Sequence, residues 1–174
     1  MVALYFGSFD PLHYGHLAVA EYVITHLDVE RFLFVLSPHN PGKSSEQLNN
    51  ANNRLTALKR EVAEFSAKNA HLKRAEVSDI EFSLPEPRYT FNTLEEFKRR
   101  EPNSEFCLVV GADTFAVMEK WYRGLEVLKN YKIIVYPRAG SRVKTKCRKY
   151  KALYLSDAPL NNISSTQIRA SLSK

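Results

Sequence analysis

The chain has 174 residues, 44% of them hydrophobic and 25% charged, with a formal net charge of +6. Those proportions suit one globular domain over 1–174 and exclude a disordered or fibrous chain. No apolar run approaches the roughly 20 residues that cross a bilayer, and Met1-Val2-Ala3-Leu4 shows no basic stretch ahead of a long apolar one, so we expect a cytoplasmic protein without membrane contact. Cys107 and Cys147 form no paired motif, which fits a reducing compartment.

Val2-Ala3-Leu4-Tyr5-Phe6 is a short apolar run stopped by Gly7-Ser8 and Asp10-Pro11, which predicts a buried strand entering a tight loop. From about Tyr14 to Leu27, the apolar residues Leu17, Ala20, Ile24 and Leu27 recur at helical spacing. Phe32 to Leu36 is a second continuous apolar strand, completing a βαβ unit. After a polar loop from Ser37 to about Asn50, Leu55, Leu58, Val62 and Phe65 define another amphipathic helix. A weak strand signal follows over Ala75 to Phe82. Leu84-Pro85-Glu86-Pro87 breaks the chain, and Thr90 is expected to cap a helix carrying Leu94 and Phe97. Phe106 to Val110 reads as a buried strand ended by Gly111, with Asp113 as the expected cap of a short helix through Val117. A helix with Leu125 and Leu128, a strand over Lys132 to Tyr136, a weak strand over Ala152 to Leu155 and a last helix over Ser164 to Leu172 complete the chain.

This alternation predicts an α/β fold, a single-domain Rossmann-like open parallel sheet with helices on both faces. In such sheets ligands bind at the carboxyl ends of strands, so the loops after strands are where chemistry is to be sought.

The charge is local. Arg138, Arg142, Lys144, Lys146, Arg148, Lys149 and Lys151 form a run of seven basic residues without an acidic one, and the rest of the chain is close to neutral. A sequence-independent nucleic-acid binder tends to be basic all over, so no nucleic-acid partner is expected. The run reads either as a solvated loop or as a patch that attracts a polyphosphate.

The first strand's exit carries His13 and His16, three residues apart at the expected start of a helix. Both rings then lie on one side of the first turn, beside amides with no intrahelical partner and with Gly15 between them, which makes an anion site. A structural pair and a fragment of a metal site are the alternatives, the latter lacking a third nearby ligand of the usual kind. At the other end Ser164 and Gln167 fit a capping box, with Arg169 one turn inside, where a guanidinium reaches a phosphate held at the helix start. Capping alone is the plainer reading of these residues.

Gly7-Ser8-Phe9-Asp10-Pro11 followed by His13-x-Gly15-His16, with Ile163-Ser164-Ser165-Thr166-Gln167-Ile168-Arg169, resembles the nucleotidyltransferases that share His-x-Gly-His and Ile-Ser-Ser-Thr-x-x-Arg motifs. Ser37 to Lys43, Tyr89-Thr90-Phe91-Asn92-Thr93-Leu94, Gly111-Ala112-Asp113, Trp121 and Tyr136-Pro137-Arg138 are similar to landmarks of the nicotinate-nucleotide adenylyltransferases of NAD synthesis. The chain departs from the usual pattern at Phe6, where a glycine is common, at Asn92, where an aspartate is usual, and in the spacing of Pro38 to Lys43.

The resemblance implies ATP and nicotinate mononucleotide as substrates and Mg²⁺ carried with ATP, without a dedicated protein metal site. It implies that His16 donates to the α-phosphate, that His13 holds the triphosphate, and that Arg169 with Ser165 and Thr166 binds the leaving phosphates. Gly7, Ser8, Phe9, Gly15, Gly111, Asp113, Ile163 and Ser164 complete the implied ATP site. Lys43, Tyr89, Thr90, Trp121 and Arg138 form the implied mononucleotide site, with Trp121 stacked on the pyridine; core packing is the other reading of Trp121. The alternatives are nicotinamide mononucleotide as the preferred substrate, a phosphopantetheine adenylyltransferase or cytidylyltransferase, and a catalytically silent ATP-binding sensor. A class I aminoacyl-tRNA synthetase fragment ranks last, since the chain has no Lys-Met-Ser-Lys-Ser stretch. Homo-oligomerisation is left open.

Overall fold

The computed structural model describes residues 1–38 and 50–160. Lys43, Ile163, Ser164, Ser165, Thr166 and Arg169, together with the expected last helix, lie outside the described residues.

The described chain runs β1 (Val2–Gly7), α1 (Tyr14–His26), β2 (Arg31–Leu36), α2 (Ala51–Ala67), β3 (Ala75–Ser78), α3 (Thr90–Arg100), β4 (Phe106–Gly111), α4 (Ala112–Val117), α5 (Gly124–Asn130), β5 (Lys132–Tyr136), α6 (Lys144–Tyr150) and β6 (Leu153–Tyr154). The strands form one sheet in the order β3-β2-β1-β4-β5-β6, and every pairing is parallel. The apolar runs become strands because both sheet faces are covered, and the pleat sends alternate residues to opposite cores. Ala3, Tyr5, Phe32 and Phe34 face one core with α1 and α2, whereas Val2, Leu4, Leu33 and Val35 face the other with α3, α4 and α5.

The order reverses between β1 and β4. Chain leaving β1 turns to one side through β2 and β3, and chain leaving β4 turns to the other, so their exits part and leave a crevice at the carboxyl edge.

Several local expectations are corrected. Thr90 is the first helical residue of α3, not its cap; Tyr89 takes the cap position with extended backbone, because the chain stays extended through it after the proline-rich break, and no side chain caps the helix. Asp113 likewise lies inside α4, because β4 passes directly into the helix with Gly111 as the cap residue. Leu125 is exposed, since α5 starts after a left-handed Arg123 and turns Gly124, Val127 and Leu128 inward. The weak signal after Ala75 divides into β3 and a 3₁₀ turn over Ile80–Ser83. The basic run, read as a loop or patch, contains helix α6, anchored by buried Val143 and Cys147 four residues apart. Lys146 and Lys149 of that helix pair with Glu119, at 3.0 and 3.2 Å.

Candidate active site

The loop after β1 turns at Phe9, whose φ of 41° lies in the left-handed region. Its ring is buried, edge-on to Tyr5, His16 and Phe34, with the His16 ring centroid 5.1 Å away. Phe9 therefore forms the floor beneath His16, and its side chain belongs to the core. Gly7 is needed here because a Cβ would stand 2.9 Å from the Phe9 ring.

The two histidines begin α1 as a capping box. His13, at the cap position, accepts the Gly15 amide on Nδ1 at 3.1 Å, and His16 accepts the His13 amide on its own Nδ1 at 3.3 Å. The Gly15 N–H is thereby engaged inside the cap. An imidazole that accepts on Nδ1 carries its proton on Nε2 when neutral, so each ring keeps one N–H donor at Nε2. The rings lie 3.8 Å apart between centroids. Burial, His13 and Arg138 push the His16 pKa down to about 3, and burial with Arg138 also lowers that of His13. Both are therefore neutral donors near pH 7.

The exits of β4 and β5 bring a third part to this edge. Gly111 pairs in register with Tyr136, and beyond them Arg138 Nε stands 3.9 Å from Asp113 Oδ1. A Cβ on Gly111 would meet Asp113 at 2.4 Å and Arg138 at 3.4 Å, so the glycine is what lets these two approach. The Arg138 charge contributes to lowering the pKa of both histidines.

Tyr89, Thr90 and Trp121 gather at the start of α3 and the turn before α5. Tyr89 stacks on the half-exposed Tyr122, with centroids 4.5 Å apart and planes at 20°. Trp121 is half-buried and packs against the second core. Tyr122 was not singled out from the sequence; its only signal is the Trp-Tyr pair.

Arg54 is a second residue that sequence reading missed. It lies on the apolar face of α2 and is buried, donating to Ser8 O at 2.7 Å, Ser37 O at 3.2 Å and Pro38 O at 2.7 Å. One guanidinium thus ties the exits of β1 and β2 together, satisfying three carbonyls that no helix or strand accommodates. Its spacing from Leu58 and Phe65 on the same stripe was the available signal.

The arrangement offers neutral N–H donors, a nearby cation and a helix start at a crevice, which suits a polyphosphate. The Cytidylyltransferase-like family model matches residues 4–171. A Flavobacterium johnsoniae protein named "Probable nicotinate-nucleotide adenylyltransferase" is 35% identical over 172 residues, covering 98% of this chain and 86% of its own length. A Bacteroides fragilis protein of the same name is 36% identical over 169 residues, covering 97% and 80%. Among solved structures, Plasmodium falciparum nicotinic acid mononucleotide adenylyltransferase complexed with NaAD superposes with a TM-score of 0.76 at 22% identity, covering 97% of this chain and 82% of that one, a likeness of fold. With its motifs, topology and near full-length relatives in agreement, the chain belongs to the cytidylyltransferase-like family, in the company of the nicotinate-nucleotide adenylyltransferases.

Proposed function

We propose that this protein transfers AMP from ATP to nicotinate mononucleotide, giving deamido-NAD and pyrophosphate, in the cytoplasmic synthesis of NAD. The observation that carries this reading is the neutral histidine pair at the start of α1, set at the β1–β4 crevice of a chain whose near full-length relatives bear that enzyme's name. A 5′-phosphate oxygen of the mononucleotide attacks the α-phosphorus of ATP, and the bond to the bridging oxygen of pyrophosphate breaks. No protein nucleophile is needed; alignment and stabilisation of charge on the transferring group suffice.

In this reading His16 donates from Nε2 to the α-phosphate as charge develops, and His13 does the same for the triphosphate beside it. Arg138 adds a positive charge at the same edge. Arg169, Ser165 and Thr166, outside the described residues, take the β- and γ-phosphates on the motif's own logic, and Lys43 serves the mononucleotide. Tyr89, Thr90 and Trp121 receive the pyridine nucleotide, with Trp121 stacked on the ring. The reading takes Mg²⁺ as carried on the triphosphate, with most of its remaining ligands water. Mg²⁺ carried with ATP would supply neutralisation of part of the triphosphate charge beside His13 and His16.

The test is pyrophosphate release from ATP and Mg²⁺ with nicotinate mononucleotide, and separately with nicotinamide mononucleotide or phosphopantetheine. Preference for the nicotinate form is expected. Release with phosphopantetheine alone, or with none of the three, overturns the pyridine assignment. His16→Ala should lower kcat on the order of 10²–10³-fold while leaving the KM for ATP nearly unchanged.

A further inference from the structure

The carboxyl group of Glu81 takes no part in the chemistry above, yet it is 2% exposed and stands between the two halves of the site. It lies in the 3₁₀ turn over Ile80–Ser83, between β3 and α3. A carboxyl is costly to bury unless its oxygens are hydrogen-bonded, and an apolar side chain would fill the same space without that cost. Here the oxygens are engaged. Thr93 Oγ1 donates to Oε1 at 2.9 Å, and the Ser37 side chain hydrogen-bonds the same carboxyl. The main-chain carbonyl of Glu81 accepts Arg88 Nε at 2.8 Å.

One residue therefore reaches the β2 exit through Ser37, the segment before α3 through Arg88, and the first turn of α3 through Thr93. The Thr93 hydroxyl that Glu81 holds also lies 3.3 Å from Tyr89 O. The two ends depend on Glu81 unequally. Ser37 stays fixed by its own amide on Gly7 O at 2.9 Å and by Arg54 on its carbonyl. The start of α3 has no side-chain cap, so the Thr93–Glu81 hydrogen bond is the polar anchor of that turn, beside the Tyr89–Tyr122 stack and buried Phe91.

We infer that Glu81 is a positioning residue that sets the start of α3, and with it Tyr89 and Thr90, for the mononucleotide; this rests on the reading of those two residues given above. Loss of the carboxyl shifts the mononucleotide side of the site and spares the ATP side.

The experiment compares Glu81→Ala, Glu81→Gln, Thr93→Val and Tyr89→Ala in the full chain, by KM for each substrate and by amide hydrogen exchange over 89–94. Glu81→Ala is expected to raise the KM for nicotinate mononucleotide about tenfold, with the ATP KM moving less than about twofold, and to speed exchange in the first turn of α3. Glu81→Gln restores both, because its amide oxygen still accepts Thr93 and its NH₂ can donate to Ser37. Should Glu81→Ala fail to fold, Thr93→Val, which removes only the hydroxyl, is expected to move the same KM and the same amides. Exchange and KM unchanged in the folded variant, or both KM values rising together, overturns the inference. If Tyr89→Ala leaves the mononucleotide KM unchanged while Glu81→Ala still speeds exchange, the positioning of α3 stands and the mononucleotide reading fails.

Discussion

Acidification tests the state of His16 directly. Unfolded, its imidazole binds a proton near pH 6.5; in the folded protein burial, His13 and Arg138 hold that step down to about 3. Between these values the unfolded chain carries one more proton, so the stability contributed by neutral His16 is complete above pH 6.5 and is lost as pH falls toward 3. The slope in that window is about 1.4 kcal/mol per pH unit, which amounts to about 2 kcal/mol between pH 7.5 and pH 5. Urea unfolding at those two pH values, on the wild type and on His16→Gln, isolates the contribution. Glutamine does not titrate, so the wild type should lose about 2 kcal/mol more than the variant over the interval. Equal losses would refute the assignment of a neutral, buried imidazole. The same reasoning leaves the pH profile of kcat without a limb from His16 near 6.5.

Two further outcomes follow from the geometry. Trp121→Ala should raise the KM for nicotinate mononucleotide about tenfold, as loss of a base–aromatic stack does, with the ATP KM nearly constant in the same steady-state assay; an unmoved mononucleotide KM returns Trp121 to the core. Arg54→Ala should lower stability by about 3 kcal/mol in urea unfolding, because three carbonyls lose a charged donor, and it should raise the ATP KM by loosening the Ser8 and Ser37 exits. A loss below about 1 kcal/mol would show that water replaces the guanidinium freely.

The parallel sheet was legible because its four central strands, β2, β1, β4 and β5, are largely buried on both faces and so appear as apolar runs, whereas the edge strands β3 and β6 gave weak signals; Lys132–Tyr136 is found at the predicted bounds. The place of the histidine pair was legible because a three-residue spacing at a helix start sets both rings on one side of the first turn. What escaped notice were residues whose chemistry runs against their surroundings. A guanidinium in an apolar stripe reads as a solvated charge until Ser8, Ser37 and Pro38, distant in sequence, bring carbonyls to it. Glu81 is concealed in the same way, as an acidic residue in a weak strand signal whose partners Ser37 and Thr93 belong to other elements. Helix α6 was obscured by charge, since Val143 and Cys147 are too few to mark a face among basic residues, and its pairing with Glu119 depends on a contact across the sheet's helical layer.

The choice of histidine at both corners of the α1 cap has a physical reason that the ordinary cap residues would not satisfy. A capping box built from serine and glutamate also engages the first amides of a helix, but its glutamate sets a carboxylate at the helix start. Such a charge complements the helix dipole and repels a triphosphate from the same place. Imidazole accepts the backbone amide on Nδ1 without a negative charge, and the act of accepting fixes the remaining proton on Nε2. The cap thus turns each ring into a donor of defined tautomer, and burial with the Arg138 charge keeps both rings uncharged, so that under the proposed function the donors would be set before a phosphate arrives. Asparagine and glutamine would donate as well, but an amide is free to rotate by half a turn and present its oxygen; a ring locked through Nδ1 is not. The three-residue interval between His13 and His16 follows from the reach of the returning bond, because the side chain that accepts the cap residue's amide is that of the third helical residue, while His13 accepts from Gly15.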